Sequence, residues 1–412
     1  MRHFQIRRGQ RLPSAGVPVQ HAVDDRTVTS VGLLGSDLPG LRPHFEVEEG
    51  DLVEKGQVLF TDRKDPRVAF VSPLAGRVTG ISFGARKTLS SCIVTATEDA
   101  SPDHATSPIE ATDHQSIRDV LRSRGMWSAF RTRPFGRIPD ADAKTLAIFV
   151  NACQASMRAP DPSVVLQGRE DLFRLGISHL KQMTEGKVFV CQSPGEALCA
   201  QDDRVEVVSF GGTLAAGLSG THIDCLYPIR AGIEVWTIGY QDVIAIGHLF
   251  ATGQYLGERF FSVSGGGSAP ARIVRSCLGA KISDICSEQE SPCALAGDTL
   301  TGHPATYLGR FDLQISVGSN VIATTSVERR SHGSGPSALI ATRALDNALA
   351  PDILPVPLLR ALSIGDSETA KRLGCLALVE EDVAALSRVC TSGAPYEALL
   401  RLVLNELMAE TA

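Results

Sequence analysis

A multidomain chain mixing α+β and α/β parts is the fold class this sequence predicts, and three observations predict it. Short β-type runs separated by Gly and Pro fill roughly the first hundred residues. Strand-like and helical patterns then alternate, the signature of a parallel sheet with helices on its faces. Amphipathic helical spacing closes the chain over about its last eighty residues. At 412 residues the sequence exceeds one ordinary core and suits two to four domains.

The first block carries V-E-E-G-D-L-V-E-K-G-Q-V-L-F from Val47 to Phe60 and V-S-P-L-A-G-R-V-T-G-I from Val71 to Ile81. Paired segments of this kind resemble the biotinyl/lipoyl-type barrel-sandwich hybrid. Carrier domains of that type present a modified lysine on a hairpin between the two halves. Lys64 occupies that region, but inside Asp-Arg-Lys-Asp-Pro, which is unlike a carrier motif, so the barrel reads as structural. Residues 100 to 114 are polar and contain proline, and read as a linker.

Beyond the linker, Thr145–Val150, Lys187–Cys191 and Val205–Phe210 are strand candidates, and Gly168–Thr184 has helical spacing. From about residue 258 the chain turns β-like again. Arg259–Val263 runs into Ser264-Gly-Gly-Gly-Ser268, and the spacing predicts a helix over Ala271–Leu278. A Gly-rich loop between strand and helix can cradle phosphate on backbone N–H groups, but neither G-x-G-x-x-G spacing nor a following Lys-Ser/Thr is present. At the end of the chain, Asp366 caps a helix over Ser367–Leu373. Glu380–Val389 and Tyr396–Met408 repeat apolar residues at helical spacing.

Composition excludes several classes. A hydrophobic share of 43% with 21% charged residues is globular, and a net charge of −6 argues against a general nucleic-acid binder. No apolar run follows the basic start MRHFQIRRGQRLPSAG, so neither a secretory signal nor a membrane anchor is expected there. The most apolar stretch, Val243–Ala251, is far too short to span a bilayer. Ten cysteines form no C-x-x-C pair, which removes zinc ribbons and cubane iron–sulfur runs and leaves reduced, mostly buried thiols. Neither G-x-S-x-G nor H-E-x-x-H occurs.

Several strings, in order along most of the chain, resemble one family. They are Gly9–Pro18, L-L-G-x-D-x-x-G-x-R-P over Leu33–Pro43, and G-M-W-S-A-F-R-T-R-P-F-G-R-I-P within Leu121–Pro139. The most specific runs from Gly220 to Gly253 and contains G-T-H-I and Y-Q-D-V-I-A-I-G. Y-L-G-R (Tyr307–Arg310) and Pro351–Arg360 extend the match. On these strings the chain resembles the NqrA family, whose members belong to the sodium-translocating NADH:quinone oxidoreductase. More distantly it is similar to the NADH/FMN subunit of complex I and to the RnfC component of the Rnf complex.

The NqrA resemblance implies four domains. A barrel-sandwich hybrid takes 1–100, a Rossmann-like α/β domain similar to the complex I flavoprotein 115–257, a β-grasp domain of the SLBB type 258–330, and a helical domain 331–412. It implies a peripheral subunit on the cytoplasmic, inner face of the bacterial cell membrane, reaching the membrane only through the other subunits of the complex. Flavins (FMN, FAD) and iron–sulfur (Fe-S) centres are expected on those partners and no tightly bound redox centre on this chain, with a contribution to ubiquinone binding.

Candidate contacts for ligand, quinone or partner follow. The complex I relative holds its flavin with a Gly-rich loop; here the aligned Arg124–Phe135 keeps Gly125 but places Met126, Trp127 and Phe130 where backbone must approach a ligand. Arg131 and Arg133 suit an anionic group or a partner carboxylate. His222, Tyr240, Gln241 and Asp242 lie in the most specific string, where a His–Asp or Tyr–Asp pair could move protons for a quinone; structural packing is the competing reading. No catalytic residue and no metal ligand is assigned. Ser387–Arg401 keeps Cys390 but lacks the family's C-P-G-K character, and Leu339–Ala350 is also altered. These departures keep a second reading open, an adaptor for a different oxidoreductase.

Overall fold

The computed structural model describes residues 1–10, 16–97, 107–154, 156–229, 233–265, 270–287, 290, 292, 294–298, 302–318 and 338–411. Residues 100–106 of the 100–114 linker, residues 266–268 of the Gly-rich loop, Cys293 and residues 319–330 lie outside that set.

The two leading strands, β1 (Arg2–Ile6) and β2 (Val23–Asp25), pair with sheets far along the chain. After them, β3 (Ser30–Leu34), β4 (Pro43–Phe45), β5 (Leu52–Val53), β6 (Val58–Asp62), β7 (Ala69–Val71), β8 (Gly76–Phe83) and β9 (Leu89–Ala96) build the barrel-sandwich. It has two antiparallel sheets, ordered β3-β9-β8-β5 and β4-β6-β7. Val78, Cys92 and Val94 are among the side chains its core buries, and Phe60 stacks on Phe70 at 4.8 Å between centroids. Lys64 lies exposed between β6 and β7, with its ammonium 3.0 Å from Asp140.

The α/β region contains α1 (His114–Ser123), β10 (Arg131–Arg133), β11 (Ala147–Ala152), α2 (Pro162–Val165), α3 (Glu170–Gln182), β12 (Lys187–Gln192), β13 (Val205–Gly212), α4 (Ser219–Leu226), β14 (Val235–Gly239) and α5 (Tyr240–Thr252). The sheet runs β1-β13-β12-β11-β14-β10, parallel except for edge strand β10. Each strand alternates between two cores, because successive side chains point to opposite faces. Ile148, Val150, Val188 and Val190 join the core that includes Tyr240 and Val243 of α5. Ala147, Phe149, Phe189 and Phe210 join the core that includes Ile223 of α4.

A mixed sheet follows, from β15 (Glu258–Gly265), β16 (Arg272–Cys277), α6 (Ile282–Ile285), β17 (Ala294–Ala296) and β18 (Gln314–Val317), in the order β17-β18-β15-β16-β2. The helix expected over Ala271–Leu278 is strand β16, antiparallel to β15 from Glu258↔Cys277 to Val263↔Arg272. Ile273 and Val274 are both buried, on a segment sandwiched between β15 and β2. Tertiary pairing of β-branched residues overrides a short helical spacing there.

The chain ends in α7 (Arg343–Ala348), α8 (Pro355–Ile364), α9 (Ser367–Arg372), α10 (Glu380–Val389) and α11 (Tyr396–Thr411), around a separate core that includes Leu358, Leu386 and Leu404. Asp366 accepts from the Thr369 N–H at 2.9 Å, the cap read from the sequence. Among the described residues no helix is long and apolar enough to cross a membrane.

Candidate functional site

Four of the strings that carry the resemblance meet at one junction. Asp37 leaves β3 in the barrel, Arg131 opens β10, Asp242 lies in the first turn of α5, and Arg310 precedes β18. The Arg131 guanidinium donates to the Asp37 carbonyl at 2.5 Å, and the Asp37 carboxylate accepts the Arg310 N–H at 2.9 Å. The Arg310 guanidinium reaches Asp242 at 2.8 Å, and Arg259 of β15 pairs with the same carboxylate. Three sheets are thereby tied by charge-assisted bonds away from bulk water. Burial pushes the Asp37 carboxyl up to about 6, against the pull of the Arg310 N–H and the Arg131 charge. Burial likewise pulls the Arg131 guanidinium down, with Asp37 opposing. A cavity of about 40 Å³ sits beside Asp37, Gly125 and Arg310, room for water and little else.

Most of the sequence-predicted residues are committed to packing. Gly125 has φ +74°, and a Cβ there would stand 2.5 Å from Val71 Cγ2, so its smallness lets α1's exit close on β7. Trp127 is fully buried, donates from Nε1 to the Pro139 carbonyl at 2.8 Å and meets Trp236 edge-on at 5.4 Å. The Arg118 guanidinium lies over both rings. Gln241 works as a strand surrogate: its amide donates to the Phe260 carbonyl and accepts the Phe260 N–H, both at 2.8 Å. The Tyr240 hydroxyl accepts from Gln241 at 3.3 Å, and burial pushes its phenol up. Arg133 points away from the junction, to Glu381 at 3.1 Å.

His222 is not brought to Asp242. It lies in α4 against Phe210, on the opposite face of the sheet from Tyr240. Its Nε2 is 2.7 Å from the Ala216 carbonyl, so that nitrogen carries the proton, with the Cys153 thiol 3.6 Å away. Burial pulls the imidazole down to about 4 and pushes the thiol up, which leaves both neutral. This pair is not an activated nucleophile.

A second concave feature lies where open α/β sheets bind ligands, at the carboxyl ends of the parallel strands. The order β13-β12-β11-β14 is the 3-2-1-4 half of a dinucleotide fold. A cleft of about 970 Å³ opens above its ends, with Cys153, Gln192 and Phe210 among its lining. Its charged lining is Arg158 against Asp161, Glu170 and Glu196. The formal charge of that lining is negative. Sequence reasoning missed this cleft, Asp37 and Arg310. The last two stood inside matched strings; the cleft's residues come from strand ends and the loops after them, which no single local pattern joins.

A barrel-sandwich joined to a mostly parallel α/β sheet, with Asp37, Arg131, Asp242 and Arg310 bonded where they meet, defines a modular chain of several domains. Residues 4–97 match the family model described as the NqrA N-terminal barrel-sandwich hybrid domain, and residues 112–255 the NqrA second alpha/beta domain. Over 99% of this chain and all of the relative, it is 37% identical to the NqrA component of the Na(+)-translocating NADH-quinone reductase of Neisseria meningitidis serogroup A. The Pasteurella multocida NqrA is 35% identical over 98% of this chain and 99% of its own length, and the Vibrio anguillarum NqrA 35% over 98% and 99%. The chain belongs to the NqrA family of Na(+)-translocating NADH-quinone reductase components.

Proposed function

We propose that this chain is the cytoplasmic, peripheral component of a sodium-translocating NADH:quinone reductase, a scaffold that shapes the complex without a tightly bound redox centre of its own. The observation that carries the reading is where the signature residues go. Asp37, Arg131, Asp242 and Arg310 bond one another, and Gly125 and Trp127 pack against Val71 and Trp236. The absence of a resident flavin is supported by two features. Bulky Met126 and Trp127 fill the place of a flavin loop, and three carboxylates against one arginine line the cleft, which does not fit a phosphate-bearing cofactor. The likeness to the complex I NADH/FMN protein, supported by the 3-2-1-4 strand order, and a β-grasp reading of the sheet at 258–318 belong to this proposal.

Ubiquinone enters as the substrate of the complex. Arg131 is half-buried; Gly125, Trp127, Arg133, His222, Tyr240, Gln241 and Asp242 are buried. Their contribution to a quinone site is therefore to position the surrounding domains, not to hold the ring. The test is affinity purification of the tagged chain from gently solubilised membranes, with mass spectrometry of what accompanies it. Recovery of the membrane-embedded flavoprotein subunits is expected. Recovery with an unrelated reductase would replace this reading with the adaptor role that the altered Ser387–Arg401 segment suggests.

A further inference from the structure

The helical unit closes on the α/β region through the first turn of α10. Asp382 stands at the centre of that contact, its side chain 1% exposed. Oδ2 accepts the Val379 N–H at 2.8 Å, whereas Oδ1 has no partner, and neither has the buried Nε of Arg133 or the buried Thr221 hydroxyl. Arg133, 3% exposed, spends its Nη2 on Glu381 and comes only to 3.9 Å from Asp382. Gly220 in the first turn of α4 lies so close that a Cβ there would collide with the carboxylate. Around this centre, Arg137 donates to Asn405 at 2.6 Å and Arg401 to the Phe135 carbonyl at 2.6 Å.

An ionised Asp382 is therefore poorly served. It has one hydrogen bond, an orphaned oxygen, and two further acids on its own helix. Of these, Glu380 is pushed up by burial but held low overall by its bond to Arg401, so it stays charged; Glu381 shares Arg133. From α4 come Gly220, Thr221 and the neutral His222, and the 375–377 turn packed on α4 adds only the neutral Cys375 thiol.

We propose that this contact is a proton-operated latch: the helical unit holds the α/β region more tightly when Asp382 is protonated than when it is ionised. Burial pushes the Asp382 carboxyl up to about 7, with the Arg133 charge opposing and Glu381 reinforcing. The sign follows. A carboxyl that binds its proton more tightly in the closed state favours closure as pH falls through about 7. Between pH 8 and pH 6 the closed-to-open ratio rises about tenfold, because undocking returns Asp382 to an ordinary carboxylate that stays ionised throughout.

Hydrogen–deuterium exchange of the full chain tests this, with rates corrected for the intrinsic pH dependence. Protection over 379–389 should be about tenfold greater at pH 6 than at pH 8, while α3, remote from the latch, changes little. Asp382→Asn should hold the protected state at both pH values. Glu381→Gln, which removes a neighbouring charge and frees Arg133, should move the transition to lower pH and keeps the test alive if the first variant does not fold. Equal protection at pH 6 and 8 in the unaltered chain would overturn the latch. So would a pH dependence that persists in Asp382→Asn, or a transition that Glu381→Gln leaves in place.

Discussion

The junction around Asp37 and the cleft above the strand ends handle polar groups in opposite ways. At the junction, charges are enclosed and bonded: the carboxylates of Asp37 and Asp242 and the guanidiniums of Arg131, Arg259 and Arg310 meet across three sheets, and each carboxylate bonds at least one donor from another sheet. In the cleft, charges sit at an open rim and are unbalanced in sign, three carboxylates to one guanidinium. In an α/β fold the cleft is where a cofactor belongs. Asp37, Arg131, Asp242 and Arg310 of the matched strings lie at the junction, so at these four positions the strings encode contact between domains.

That contrast is broken most severely by removing the shared anion. Asp242→Ala strands Arg259 and Arg310 in a buried site, and truncating one partner of a buried pair costs about 3–5 kcal/mol. Urea unfolding followed by far-UV circular dichroism should lose that much; a loss under about 1 kcal/mol would mean the junction is wetter than its geometry implies. Next comes Gly125→Ala. A positive φ and a Val71 methyl 2.5 Å from the new Cβ combine backbone strain with overpacking, a destabilisation of about 1–3 kcal/mol. Val71→Ala should relieve part of it, since the clash is with that side chain.

The pH dependence of Asp37 sharpens the same point. Its folded-state pKa, about 6, lies above the ordinary 3.8. The native state therefore binds the proton more tightly, and stability from this group is fully present at low pH and lost as pH rises from about 4 to about 6. Asp37→Asn lacks that loss. Its stability relative to the unaltered chain should climb through this window by at most about 3 kcal/mol and level off above it. A flat difference between pH 4 and pH 6 would show Asp37 to be solvated.

How much of this was legible in the sequence depended on the range of the interaction. The strands β11, β12 and β13 and the helices α3, α9 and α10 were read nearly to their ends, because each is a local pattern of burial with a capping or turn residue beside it. β16 was misread because a six-residue strand with Ile273 and Val274 in sequence has no clean period, and what decides it is the β15 and β2 backbone on either side. The pairing of the two leading strands was invisible for the same reason: β1 is completed by β13, about two hundred residues away. Among the candidate residues, Arg131 and Asp242 were found through the matched strings. Their partners Asp37 and Arg310 were not, since a bond across 273 positions leaves no spacing to count. Asp382 gave no signal at all. An acid in the first turn of a helix reads as an ordinary partner of the helix dipole.

The smallest effects belong to the cleft. Glu170 and Glu196 are exposed, so Glu170→Lys and Glu196→Lys should each change stability by no more than about 0.5 kcal/mol. Their use is to test whether the acidic rim keeps a dinucleotide out of the cleft, as the proposed function implies. If the acidic rim alone repels phosphate, the double variant should gain weak NADH binding, visible as quenching of the nicotinamide fluorescence, while the unaltered chain shows none at millimolar concentration. If the loop geometry has also been lost, reversing the charges should restore nothing. Saturable NADH binding by the unaltered chain at micromolar concentration would defeat both explanations and return the cleft to service as a cofactor site.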